Sequence, residues 1–255
     1  MMFATPTPRV LYIHDDLSDE LGAHGEASLA WPLWQALLAV LRRHPERVVI
    51  LTLAEQLDAV VAHGEHPPFA TAVGIGSAGA RVAAQLHART GWFPAIHRID
   101  IWREEDASGG YALAGPAPLA GQLAALGMRP ELALVDDTIF SGLTMRSVLA
   151  ALPSGLSRHT RVFCLRALAE SLNDITRLAP VTPGFVAPGR ILEDVSFINA
   201  SGLVRRHAIR RAGQPGLAFF ERPEWMQAWF PGYHEEVIEL SSELSAQLEL
   251  SPTHS

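Results

Sequence analysis

Two adjacent acids, Asp136 and Asp137, close the apolar run Glu131-Leu-Ala-Leu-Val135, and four residues after Asp137 comes Ser141-Gly-Leu-Thr144. Carboxylates accept hydrogen bonds from hydroxyls, and a short Ser-Gly turn entering a helix offers unpaired backbone N–H groups to an anion. Acceptors for hydroxyls lying a few residues from an anion cradle suit a phosphorylated sugar. The apolar run reads as a buried strand and Thr144 to Leu152 as the helix after it. At the C-terminal end of a parallel strand, the acids would face the crevice where open α/β sheets bind ligands. A plain strand–turn–helix with a capping Ser is the alternative.

A second constellation competes for attention. Gly74-Ile-Gly-Ser-Ala-Gly79 follows an apolar run and opens a helix, and Asp100 lies 21 residues beyond Gly79. Those are the conditions of a dinucleotide-binding fingerprint, which would make the chain a nicotinamide-dependent oxidoreductase. Against that reading, the unit starts well inside the chain and leaves the Asp136–Asp137 strand without a role.

The elements that must position these residues alternate. Strands are expected at Arg9–His14, Arg47–Leu53, Ala70–Ile75, Ala95–Trp102 and Thr160–Leu168, with helices at Ala27–Arg43, Ala54–His63, Ala80–Thr90 and Leu119–Leu126. Residues 15–20 read as an acidic loop, and residues 104–116, with four Gly or Pro among the last eight, as a long flexible one. The alternation implies a doubly wound parallel sheet covered by helices on both faces. Beyond residue 170 the pattern weakens until a strand at Arg190–Ile198, the aromatic segment Phe219–Tyr233 and a closing helix at Glu235–Leu248. The expected organisation is a core at 68–170 with an N-terminal flanking segment at 1–67 and a C-terminal one at 171–255.

Composition narrows the function. The chain has 255 residues, 48% hydrophobic and 18% charged, with a formal net charge of −7, an ordinary globule and a poor nucleic-acid binder. The basic cluster Arg205, Arg206, Arg210, Arg211 runs against that balance and reads as solvated surface or as a pyrophosphate contact. All twenty basic residues are Arg. The absence of Lys excludes a P-loop and a pyridoxal phosphate enzyme, and leaves anions to guanidinium forks. The single cysteine, Cys164, lies within a strand and reads as core. His63 and His66 stand three apart in a Pro-rich turn, a poor metal site. With no signal pattern or membrane-length apolar run, a cytoplasmic location is expected, with no membrane and no nucleic-acid partner.

Residues Glu131 to Thr144 resemble, without a gap, the phosphoribosyl pyrophosphate (PRPP) signature of the type I phosphoribosyltransferase family. That signature is an apolar run, two acids, two or three variable positions, then Thr/Ser-Gly-x-Thr/Ser. The family's order of elements also fits 68–170: a pyrophosphate loop at Ser77, Ala78, Gly79 and Ala80, basic residues after the next strand at His97, Arg98 and Arg103, and a mobile loop at 104–116. Residues 107–116 lack the Lys or Arg that many relatives carry there.

The resemblance implies that a nitrogen nucleophile displaces pyrophosphate from C1 of PRPP. Asp136 and Asp137 would take the ribose hydroxyls. Thr138, Ile139, Phe140, Ser141, Gly142, Leu143 and Thr144 would hold the 5-phosphate, and Arg103 with 77–80 the pyrophosphate. Magnesium is expected through PRPP near Asp136 and Asp137, with no direct protein ligand. Phe140 cannot transfer a proton, which speaks against hypoxanthine–guanine members. The acceptor base would meet a hood built from the flanking segments, where Trp225, Trp229, Phe230 and Tyr233 either stack on it or pack on the core. Relatives are commonly homodimers. A regulator that keeps the PRPP pocket without turnover is the alternative within the same fold.

Overall fold

The protein is described from a computed structural model, which covers residues 8–23, 29–63, 69–105, 111–127, 131–206, 208–209 and 215–250. In chain order the elements begin β1 (Val10–Asp15), α1 (Ser18–Ala23), α2 (Ala30–Leu41), β2 (Val48–Thr52) and α3 (Leu53–Ala62). There follow β3 (Thr71–Ile75), α4 (Gly76–Thr90), β4 (Ile96–Ile99), β5 (Trp102–Glu105), β6 (Tyr111–Ala114) and α5 (Leu119–Ala125). The chain continues with β7 (Leu132–Ile139), α6 (Leu143–Ala151), α7 (Ser154–Ser157), β8 (Thr160–Leu168), α8 (Ala169–Thr176) and β9 (Val181–Ala187). It closes with β10 (Val195–Asn199), α9 (Ala200–Val204), α10 (Pro223–Trp229) and α11 (His234–Leu250).

Two units divide the chain differently from the expected three segments: Ala54–Ile191 forms one, and Met1–Leu53 with Leu192–Ser255 the other. The first gains α3 and β9. The reason for β9 is pairing: its residues run parallel to β8, from Val162↔Val181 to Leu168↔Ala187. Pro183 and Gly184 obscured this strand in the sequence, and an edge strand is where a sheet tolerates them. In the other unit, β10 and β2 flank β1 in a three-stranded parallel sheet, so the chain's two ends share one core. The aromatic segment belongs there. Trp229 is 8% exposed and Phe230 fully buried, so these rings pack on the core. Residues 18–20, expected as part of a loop, open α1 because Asp15 accepts the N–H of Ser18 at 2.8 Å and caps it.

The five-stranded sheet of Ala54–Ile191 is parallel throughout, in the order β4-β3-β7-β8-β9. Its central strands β3, β7 and β8 are apolar runs because helices cover both faces, and β3 is buried at every residue. Counted along the chain the order is second, first, third, fourth, fifth. That is the doubly wound order of flavodoxin-like sheets, not the order of classical dinucleotide-binding folds, and its switch point lies between β3 and β7.

The switch point is held by close backbone packing. A Cβ on Gly79 would lie 2.3 Å from the carbonyl oxygen of Val135, and one on Gly74 would lie 2.3 Å from the Ala80 backbone. Gly74 and Gly79 of the fingerprint therefore let α4 settle directly onto β7. Residues expected as a flexible loop form, in part, the antiparallel hairpin β5–β6, registered from Trp102↔Ala114 to Glu105↔Tyr111, while 106–110 lie outside the described residues. Gln122 ties its roots: the side chain accepts from Asp100 N–H at 2.7 Å and donates to the carbonyl oxygen of Ala117 at 2.9 Å.

Gly79→Ala should destabilise this unit by about 1–3 kcal/mol or more, because the atoms it meets are backbone. Gly91→Ala meets nothing within 4 Å and strains only a left-handed φ of 72°, so it should cost about 1 kcal/mol. Urea unfolding of the two variants checks the order; equal costs would mean that α4 does not lie against β7 as described.

Candidate functional site

The register of β3 with β7 ends at Gly74↔Val135, while β7 runs on against β8 to Ile139↔Ala167. Past Val135 the β7 edge is thus released from β3, and the two acids stand at that opening. Their settings differ. Asp136 is 8% exposed and its Oδ1 accepts the Asp137 N–H at 2.8 Å. Burial, reinforced by the neighbouring charge of Asp137, pushes the Asp136 carboxyl well above the usual carboxylate range, and the guanidinium of Arg103 pulls the other way. Arg103, from the hairpin, therefore lies within electrostatic reach of Asp136.

Asp137 is held from the next strand. Its Oδ2 accepts from Arg166 Nη2 at 3.1 Å and from Thr138 Oγ1 at 3.1 Å. The Arg166 side chain is 1% exposed, and its Nη1 donates to Gln56 Oε1 at 3.4 Å. The sequence reading missed Arg166 and Gln56. The available signal was an Arg in the otherwise apolar strand Phe163-Cys-Leu-Arg-Ala-Leu168, since a buried guanidinium needs a partner.

The anion turn is shorter than the sequence implied. Thr138 and Ile139 are strand residues registered with Arg166 and Ala167, and the Ile139 side chain is buried in the core. The turn proper is Phe140, Ser141 and Gly142. Gly142 adopts a left-handed φ of 71° at the N-cap of α6, and Leu143 and Thr144 occupy the first helical turn. Ser171 Oγ donates to the Phe140 carbonyl, fixing the turn from α8. Arg146, one turn into α6, folds back so that its Nη1 lies 2.9 Å from where a Cβ on Gly142 would stand. Across the opening, Ser77, Ala78, Gly79 and Ala80 form the first turn of α4, with Ser77 exposed and Gly79 buried. A helix N-terminus thus borders the acid pair on the β3 side and a second one follows it on the β7 side, and both favour anions.

The remaining candidates fall elsewhere. Arg98 pairs with Asp100. Arg205 pairs with Glu20, and Arg206 with Glu221 and Glu249, which supports the solvated-surface reading; 207 and 210–214 lie outside the described residues. Cys164 is fully buried, and burial pushes its thiol up, away from reactivity. His63 Nδ1 meets the Pro183 carbonyl, and His66 lies outside the described residues. Among the described residues no group of three or more His, Cys, Asp or Glu could hold a metal ion, and no helix is long and apolar enough to cross a membrane.

No family model matches the chain, and no curated protein matches it. Solved structures do. A hypothetical protein from Neisseria gonorrhoeae, solved with bound ppGpp, aligns over 58% of this chain and 85% of its own at 16% identity and a TM-score of 0.43. A purine phosphoribosyltransferase from Pyrococcus horikoshii aligns over 58% and 89% at 19% identity and a TM-score of 0.38. The APRTase of Giardia lamblia, complexed with 9-deazaadenine, aligns over 52% and 77% at 14% identity and a TM-score of 0.40. All three likenesses lie below a TM-score of 0.5.

The raised Asp136 carboxyl makes a prediction about stability. A folded-state pKa above the unfolded one contributes stability at low pH that is lost as pH rises through the folded value. Asp136→Asn removes the ionisable group while keeping its shape, so the variant should gain on wild type between pH 5 and pH 8. Denaturant unfolding at both pH values reads this; an advantage that shrinks with rising pH would contradict the buried, protonated setting.

Proposed function

We propose that the protein binds PRPP as its magnesium complex at the β3–β7 switch point and transfers the phosphoribosyl group to a nitrogen nucleophile, releasing pyrophosphate. The observation that carries this reading is the acid pair flanked by two helix N-termini, one after β3 and one after the left-handed Gly142. A ligand with two anionic ends and hydroxyls between them matches that order of groups.

The ribose hydroxyls lie on Asp136 and Asp137. Asp137 accepts, while Asp136, when protonated, can also donate. The 5-phosphate takes the amides of the 140–144 turn with the hydroxyls of Ser141 and Thr144. The pyrophosphate takes the first turn of α4 and Arg103. As the bond to pyrophosphate breaks, positive charge grows at C1 and the ring oxygen. The Asp137 carboxylate, in a partly desolvated edge, favours that charge more than it favours the ground state. Magnesium bound to the diphosphate offsets the leaving group's charge. The acceptor is a planar nitrogen base or another amine.

A second reading, a PRPP or nucleotide sensor without turnover, draws support from Arg166, whose guanidinium on Asp137 reduces the negative charge available to the reacting centre. Calorimetry with PRPP and magnesium, followed by a pyrophosphate-release assay over a panel of bases, separates the two. Binding with release supports the transferase, and binding without release supports the sensor. Asp136→Asn with Asp137→Asn should weaken PRPP by roughly a hundredfold, about 3 kcal/mol for one charge-assisted and one neutral hydrogen bond, with the fold retained. Unchanged affinity in the double variant would remove the acids from the sugar site.

A further inference from the structure

We infer that Arg166, steadied by Gln56, is a positioning residue that sets the orientation and charge of Asp137 at the sugar-binding edge. The inference rests on the PRPP reading of this pocket and adds residues that reading did not contain. A guanidinium that is 1% exposed in an apolar strand is unfavourable unless its charge is met, and an apolar side chain would fill the same space as well or better. Its place in this strand is therefore better explained by what it does to its partner than by packing.

The support runs back through the fold. Arg166 reaches Asp137 at 3.1 Å and Gln56 at 3.4 Å, and Gln56 is 2% exposed on α3. The Gln56 backbone is itself fixed against β9, where a Cβ on Gly184 would stand 2.5 Å from the Gln56 carbonyl oxygen. The helix preceding the core thereby braces the strand that follows the acids. Chemically, a ligand with a diphosphate and a phosphate must approach two neighbouring carboxylates, and Arg166 meets the charge of one from inside. Among the described residues, Asp136 on its own strand and Arg166 and Cys164 on β8 face Asp137, and Arg103 from the hairpin acts on the neighbouring Asp136.

The test combines a stability cycle with binding. Arg166→Met should lose stability, more at pH 8 than at pH 5, because the stranded Asp137 carboxyl can take up a proton at the lower pH. Adding Asp137→Asn should remove most of the loss. If Arg166→Met does not fold, Asp137→Asn alone reads the pair from the other side, with a deficit that holds from pH 8 to pH 5 and falls away only below about pH 4, where the wild-type carboxylate takes up a proton. In calorimetry with PRPP and magnesium, Gln56→Leu should weaken binding about tenfold, the scale seen when the partner orienting a binding group is removed. Arg166→Lys should keep part of the affinity that Arg166→Met loses. A pH-independent deficit, or wild-type PRPP affinity in Gln56→Leu and Arg166→Lys, overturns the inference. Wild-type protein that ignores PRPP overturns the proposed function instead, while the stability cycle still decides whether Arg166 sets the charge of Asp137.

Discussion

The approach of α4 to β7 is the constraint on which the site depends. Gly79 stands against the carbonyl of Val135 with no room for a side chain, and Gly74 leaves the same absence of space beside Ala80. Only this contact brings the N-terminal turn of α4 alongside the end of β7, one residue before Asp136. A helix dipole acts over about one turn, so a displacement of the helix by the width of a methyl group would take its amides out of reach of an anion shared with the acids. The same glycines that imitate a dinucleotide fingerprint thus serve a packing function in a sheet of different order.

Around that contact, electrostatics separates two residues that the sequence presents as equals. Asp136 points into a dry environment and favours its neutral form, while Asp137 meets a buried guanidinium. Adjacent acids seldom share one charge state, because each ionisation makes the next harder. Strand geometry lets neighbouring side chains take opposite faces, and the two faces of β7 offer different partners. The result is an edge with one acid paired to a buried guanidinium and one whose carboxyl is pushed up by burial.

The other unit follows a different logic. Its three parallel strands come from both ends of the chain, and its aromatic residues fill a core shared by β1, α2 and α11. Trp229 and Phe230 are spent on packing there, with Trp225 and Tyr233 partly buried against the same core.

Much of the Ala54–Ile191 unit was legible in the residues. Strands β3, β7 and β8 are built on apolar runs, and Thr160–Leu168 coincides with its expected bounds, because a strand buried on both faces must be mostly apolar. The acid pair and the Ser-Gly turn were legible for the same local reason, since chemistry and turn geometry are written in contiguous residues. The sequence by itself could not show β9, whose Pro183 and Gly184 are acceptable only at a sheet edge. Nor could it show that the N- and C-terminal segments share a sheet, or that Gln56, Arg166 and Asp137 form one chain of contacts. Those relations join residues up to 185 positions apart, and no local periodicity records them. Local composition therefore determined which strands and which chemical groups this protein has, and tertiary pairing alone decided which carboxylate is buried and which meets a guanidinium, because only the packed sheet brings each one its neighbour.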